Sequence, residues 1–154
     1  MIRVCTINDK ERLEKYLQEE PYARAIFAAI EKFGFDEKFQ TVYLDTEKCS
    51  HDTEEGQAAE ETIKGVYLWF YKNLLLYSKE NKVDIDFLEQ MIFMAAPDCV
   101  AGRKDNVNIV SWLLTDYHFE QSDMIPEIAD AEGKTAACFT AGEAYAGEWG
   151  YLKK

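Results

Sequence analysis

The sequence predicts an α/β domain, a sheet covered by helices on both faces. Three observations predict it. Stretches of strand-like and helix-like apolar spacing alternate along most of the chain. One hairpin, residues 63–78, is apolar on both of its faces, as a central strand pair covered from both sides must be. The chain has 154 residues, 47% of them hydrophobic, which suffices for one domain with a core of its own.

The elements follow in order. Residues 2–6, with Ile2, Val4 and Thr6, are predicted as a first strand. Asn8 and Glu11 resemble a capping box with Asn8 as N-cap. The helix behind it runs to about Gln18 and buries Leu13, Tyr16 and Leu17. Pro21 suits the first turn of a second helix, whose apolar face is Ala25, Ile26, Ala29, Ile30 and Phe33. Gly34 is expected to end it as a left-handed cap. Residues 39–44 form the next strand. Residues 45–62 carry Asp45, Glu47, Asp52, Glu54, Glu55, Glu60 and Glu61 against the lone base Lys48. They are expected as a long acidic loop, of a length found in functional or disordered segments.

In the hairpin, Val66, Leu68 and Phe70 share one face and Tyr67, Trp69 and Tyr71 the other, with Asn73 suited to the turn. Asp84 or Asp86 is the N-cap of a third helix carrying Phe87, Leu88, Met91, Ile92 and Ala95, and Pro97 stops it. Residues 98–101 read as a short strand with Gly102 as a turn. Residues 104–117 fit a helix through Val107, Val110, Leu113, Leu114 and Tyr117, although 107–114 also fit a strand; the helix is taken. Residues 117–124 are a late strand. The tail, 127–154, turns to Ala, Gly and Glu and is expected as irregular structure, a short helix or a frayed end, anchored by Phe139, Tyr145, Trp149, Tyr151 and Leu152. The division is therefore a domain over 1–126 and a tail over 127–154.

Charge narrows the partners. A formal charge of -12 opposes nucleic-acid binding, which needs Lys and Arg at the phosphates, and anionic membrane surfaces. It favours basic partners or basic small substrates. No apolar run reaches the roughly 20 residues of a membrane helix, and no basic segment followed by an apolar one opens the chain, so a cytoplasmic location is expected. Cys5, Cys49, Cys99 and Cys138 are far apart and form no C-x-x-C pair, so neither a disulfide framework nor a metal site is predicted.

The element order, with the opening Ile2-Arg-Val-Cys-Thr-Ile-Asn-Asp-Lys-Glu-Arg-Leu13 and the segment Glu20-Pro-Tyr-Ala-Arg-Ala-Ile-Phe-Ala-Ala-Ile-Glu-Lys-Phe-Gly-Phe35 before residues 39–45, resembles the GNAT superfamily of N-acetyltransferases. It is most similar to the N-terminal half of two-part GNAT proteins, whose second half carries the acetyl-CoA site. The resemblance spans roughly residues 1–125 and includes Gly102-Arg-Lys104. It implies a twisted, mixed, mostly antiparallel sheet with helices on both faces. It also implies an acyl transfer by direct attack of an amine on the acetyl-CoA thioester. GNAT enzymes hold the cofactor pyrophosphate on a Gln/Arg-x-x-Gly-x-Gly/Ala loop between the central strand and the next helix, where glycines and helix N–H groups meet the phosphates. Here that corner is Ser78-Lys-Glu-Asn-Lys-Val-Asp-Ile-Asp86, without a glycine and with Asp84 and Asp86 at the helix start. Ser78, Lys79, Asn81 and Lys82 thus mark a degenerate corner. No cofactor is expected unless that corner still binds acetyl-CoA.

Other motifs point elsewhere. Gly133-Lys134-Thr135 matches only the end of a P-loop, since Ile128 stands where its first glycine belongs. Cys49 and His51 supply two metal ligands where a structural zinc needs four, and His118, between Tyr117 and Phe119, reads as a partly buried structural residue. A Cys–His nucleophile pair has no local signature. Glu31, Glu37 and Asp45 are the carboxylates near the start of the sheet, and nothing selects one as a general base. The expected function is a GNAT acetyltransferase-like domain with a structural or substrate-shaping role. Its partner is a catalytic GNAT domain, or a second copy through an apolar sheet surface carrying Tyr67, Trp69 and Tyr71. The alternative is a non-enzymatic acidic protein that binds a basic partner.

Overall fold

Strand β3 (Glu61–Phe70) is built as two interleaved apolar rows. Val66, Leu68 and Phe70 enter one buried cluster, and Tyr67 with the half-buried Trp69 enters a second. Period-two alternation sends the rows to opposite faces, so each face needs its own cover. The structure, a computed structural model, describes residues 1–18, 20–48, 61–122, 124–128, 136–140 and 149–153. At 21, 121–122, 124–128, 136–140 and 149 the description extends to the backbone alone.

Around β3 lies a seven-stranded open sheet. Along the chain come β1 (Ile2–Val4), α1 (Lys10–Leu17), α2 (Arg24–Phe33), β2 (Gln40–Lys48), β3, β4 (Asn73–Tyr77), α3 (Ile85–Met94), β5 (Cys99–Arg103), α4 (Lys104–Ser111) and β6 (His118–Ser122). They are followed by β7 (Met124–Ile128), β8 (Ala136–Thr140) and β9 (Trp149–Lys153). The sheet order is β1-β2-β3-β4-β5-β9-β6, with β7 and β8 as a separate antiparallel pair. Every step in the large sheet is antiparallel except β4–β5, which run parallel in the register Asn73↔Cys99 to Leu76↔Gly102. Helix α3 makes that crossover, as parallel neighbours require.

The first cluster joins Leu13 and Leu17 of α1 and Ala25, Ile26, Ala29 and Ile30 of α2 to one face of the sheet. The second joins Leu88 of α3 and Val107 and Val110 of α4 to the other. The molecule is thus a mixed α/β fold with a mostly antiparallel sheet and helices on both faces. Among the described residues no helix is long and apolar enough to cross a membrane.

Several boundaries differ from the sequence expectation. Asn8 is not the N-cap: a 3-10 turn over Ile7–Asp9 precedes α1, capped at Thr6, whose N–H donates to Asp9 Oδ2 at 2.9 Å, and Asp9 itself stands at the N-cap of α1. Residues 21–23 are likewise a 3-10 turn. Gly34 does end α2 at positive φ, 68° with ψ -145°, a region open essentially to glycine. Gln40 completes that terminus, its Nε2 donating to the Ala29 and Gly34 carbonyls at 3.2 and 2.8 Å.

The loop expected over 45–62 is shorter, because β2 runs on to Lys48 and β3 starts at Glu61, with a bulge between Asp45 and Thr46. Residues 49–60 lie outside the described residues. The hairpin turn is Tyr71-Lys72, with Tyr71 at φ 54°, and Asn73 already pairs with Phe70. Tyr71 is therefore lifted out of the row of Tyr67 and Trp69; it stacks on Phe39 at 4.9 Å in the first cluster.

Gly102 is a strand residue rather than a turn. A Cβ there would lie 2.6 Å from the Leu76 carbonyl oxygen. The tail changes most: Trp149–Lys153 forms β9, between β5 and β6. Its Tyr151 and Leu152 face the first and second clusters respectively, an alternation too short to stand out in an Ala- and Gly-rich stretch.

Candidate functional site

The corner after β4 is held by a closed set of hydrogen bonds. Ser78 is buried, and its Oγ donates to the Lys64 carbonyl at 2.6 Å and accepts the Lys82 N–H at 2.8 Å. Its N–H donates to Asn106 Oδ1 at 3.0 Å, while Asn106 Nδ2 donates back to the Ser78 carbonyl at 3.1 Å and to Asn81 Oδ1 at 2.8 Å. Asn106 stands on α4 and is 0% exposed. Asn81 takes φ 57° and donates its N–H to the Ser78 carbonyl at 3.2 Å. Asn accepts this conformation more readily than most residues.

Arg103, at the end of β5, closes the same mouth. One Nη2 donates to the Ser78 and Lys79 carbonyls at 2.8 and 2.9 Å, and the guanidinium grips Asp105 through Nε and Nη2 at 2.6 and 2.8 Å. Its Cζ lies 5.7 and 6.0 Å from the ring centres of Tyr77 and Tyr22, within range of cation–π attraction.

Two tyrosines take the next amides. The Lys79 N–H donates to Tyr16 Oη at 3.0 Å and the Asp84 N–H to Tyr67 Oη at 2.8 Å. Burial pushes both phenols above their ordinary range, so both keep their protons. At the start of α3, Asp84 Oδ1 accepts the Phe87 N–H at 2.9 Å. The carboxylate sits where an anion would meet the helix N-terminus. Of the four residues marked from sequence, Ser78 and Asn81 are inward-facing parts of the clamp. Lys79 is exposed, and Lys82 pairs with Glu47 and Glu80 at 3.4 and 3.1 Å.

The three carboxylates singled out from sequence sit in different settings. Glu31 is exposed, 3.9 Å from Lys10, and Glu37 is exposed. Asp45 is 0% exposed, 3.2 Å from the Met1 amino group and 3.7 Å from Lys64 Nζ, with Oδ2 lacking a hydrogen bond. It answers the desolvation of a buried charge with two nearby cations.

His118 is corrected from partly buried to 78% exposed, 3.9 Å from Glu120. It pairs with Lys153, which in turn pairs with Cys99. Two strand spacings, about 9–10 Å, therefore separate His118 from Cys99, beyond hydrogen-bond reach. Burial raises the Cys99 thiol and pushes that of Cys5 up to about 12, opposite to an activated nucleophile. Cys49, His51 and the Gly133-Lys134-Thr135 motif lie outside the described residues, as does the side chain of Cys138. Among the described residues no group of three His, Cys, Asp or Glu is placed to hold a metal.

A second feature is apolar. Tyr43 and Trp69 on the sheet and Phe87, Met91 and Met94 on α3 line a groove of about 250 Å³. Beside it Phe93 and Met94 are 91% and 84% exposed. Sequence reasoning found the aromatics but not the clamp, because Arg103 and Asn106 lie at least 24 residues from the carbonyls they hold and no local pattern marks them.

A scan of the chain against protein-family models matches none, and a search among curated proteins gives no match.

Proposed function

We propose that the chain is a GNAT acetyltransferase-like domain that does not hold acetyl-CoA at its own corner. Its role is structural or substrate-shaping, beside a catalytic domain that carries the cofactor. The mostly antiparallel sheet, the single parallel pair joined through α3 and the helices on both faces are in keeping with the resemblance in element order. The observation that carries the reading is the engagement of the corner's amides. The N–H groups of Ser78, Lys79, Asn81, Lys82, Asp84 and Phe87 all donate to acceptors of the protein itself. A pyrophosphate bound there would have to displace them, and would meet Asp84 and Asp86 rather than glycines. The exposed Phe93 and Met94 and the adjoining groove supply an apolar docking surface of the kind that forms interface cores.

Calorimetric titration of the intact chain with acetyl-CoA tests this. No saturable heat is expected at millimolar ligand. Saturable binding that moves the amide resonances of residues 78–88 would overturn the reading.

One observation favours the second reading, an acidic protein with a basic partner. From Val83 to Gly102 the chain holds Asp84, Asp86, Glu89 and Asp98 and no Lys or Arg, so α3 presents its apolar surface inside an acidic rim. A complex formed that way dissociates steeply as rising salt screens its charges, whereas a packed apolar partner does not.

A further inference from the structure

On the α1 side of the same corner, a cleft of about 420 Å³ opens between α1 and the first residues of β3. Helix α1 lends it Arg12, Lys15 and Tyr16, at i, i+3 and i+4 and hence on one helix face. Lys64 of β3 and Lys79 of the corner close the other side. Four cations around one cleft are unexpected in a chain of charge -12.

The acids in the cleft do not cancel them. Glu61 is engaged by Arg12 at 3.4 Å and Glu80 by Lys82 at 3.1 Å. Lys64 leans on the buried Asp45 at 3.7 Å. Among the described residues, Lys15 and Lys79 have no carboxylate within ion-pair distance, although both line the cleft. The third donor is Tyr16. Its ring packs against Tyr77 at 5.5 Å and its oxygen accepts the Lys79 N–H. The hydroxyl proton therefore remains to be donated, and it has no acceptor among the described residues.

We propose that this cleft binds a phosphorylated small molecule, its phosphoryl group held by Lys15, Lys79 and the Tyr16 hydroxyl. A phosphate monoester brings nearly two negative charges and three terminal oxygens, which matches two ammonium groups and one hydroxyl better than a single carboxylate does. The cavity lies in the size range of small-molecule sites, with room for the ligand's remainder beside Thr62 and Ile63. The site meets the corner at the Lys79 amide, which donates to Tyr16 Oη, while the Ser78 and Asp84 amides face Asn106 and Tyr67. It uses side chains where a phosphate loop uses backbone.

The test is an amide-resonance titration of the intact chain with glycerol 3-phosphate, against sodium chloride of equal ionic strength. Saturable shifts are expected at residues 12–16, 61–64 and 79–80. Lys15→Ala with Lys79→Ala should weaken the binding about tenfold or more, given what charge-assisted hydrogen bonds contribute. Lys15→Arg with Lys79→Arg should retain it. Both positions are exposed, so the variants fold, and the dispersion of the same spectra verifies it. Shifts no larger than those from chloride would overturn the proposal. So would saturable shifts centred on residues 84–88, or an affinity unchanged in the double alanine variant.

Discussion

Asn106 holds two residues of the corner, Ser78 and Asn81, with three hydrogen bonds from one side chain. Replacing it by Ala leaves the Ser78 N–H and carbonyl without that partner in a buried setting. The expected loss is about 2–3 kcal/mol, measured by urea unfolding; a loss below about 0.5 kcal/mol would mean the clamp is incidental. Asp9 makes a pH-dependent contribution. Arg3 grips its two oxygens at 2.7 and 2.6 Å, and that hydrogen bonding lowers its pKa to about 2. A depressed carboxylate pKa stabilises the fold fully above the unfolded value of about 4, and the contribution fades as pH falls from there toward 2. Wild type should therefore exceed Asp9→Asn by roughly 2 kcal/mol at neutral pH, and the gap should narrow over that window. At this scale the sequence was legible where a residue acts on near neighbours: of the two aspartates that could cap α3, Asp84 does so and Asp86 falls in its first turn. It was not legible for Asn106, an ordinary helical asparagine until the fold brings Ser78 to it.

Elements follow the same division. The faces of β3 follow from alternation alone, since Val66, Leu68 and Phe70 part from Tyr67 and Trp69 as the period demands. The turn did not, because Asn73 has the better turn chemistry, yet the register sets Tyr71 and Lys72 at the bend. The tightest spot in the sheet is the parallel pair. Gly102→Ala would press a methyl group into the Leu76 carbonyl and should part β4 from β5, costing about 3 kcal/mol or more. Gly65→Ala meets nothing nearer than 3.5 Å and removes the freedom of an unfolded glycine, so it should be neutral or stabilise by up to about 1 kcal/mol. Thermal unfolding of the two variants reads the contrast, and equal losses would refute it.

At the scale of the molecule, Phe93 and Met94 at the end of α3 are the most exposed large hydrophobic side chains among the described residues. Phe93→Glu with Met94→Glu should lower binding of an apolar dye while leaving unfolding free energy within about 0.5 kcal/mol, because neither residue contributes to the buried clusters. An unchanged dye signal would place the sticky surface elsewhere. The fold class was legible at this scale because strand and helix patterns alternate, whereas β9 was hidden in a stretch with the composition of a linker. That strand also imposes an order of events. Ribosomes deliver β1 to β5 and β6 first, but β6 has no partner in the sheet until β9 arrives and pairs with both β5 and β6. Until then β5 offers a bare edge of the kind that invites aggregation. The nascent chain must therefore pass through a waiting state in which the sheet stops at β5, two strands short, until residues 149–153 arrive as the keystone.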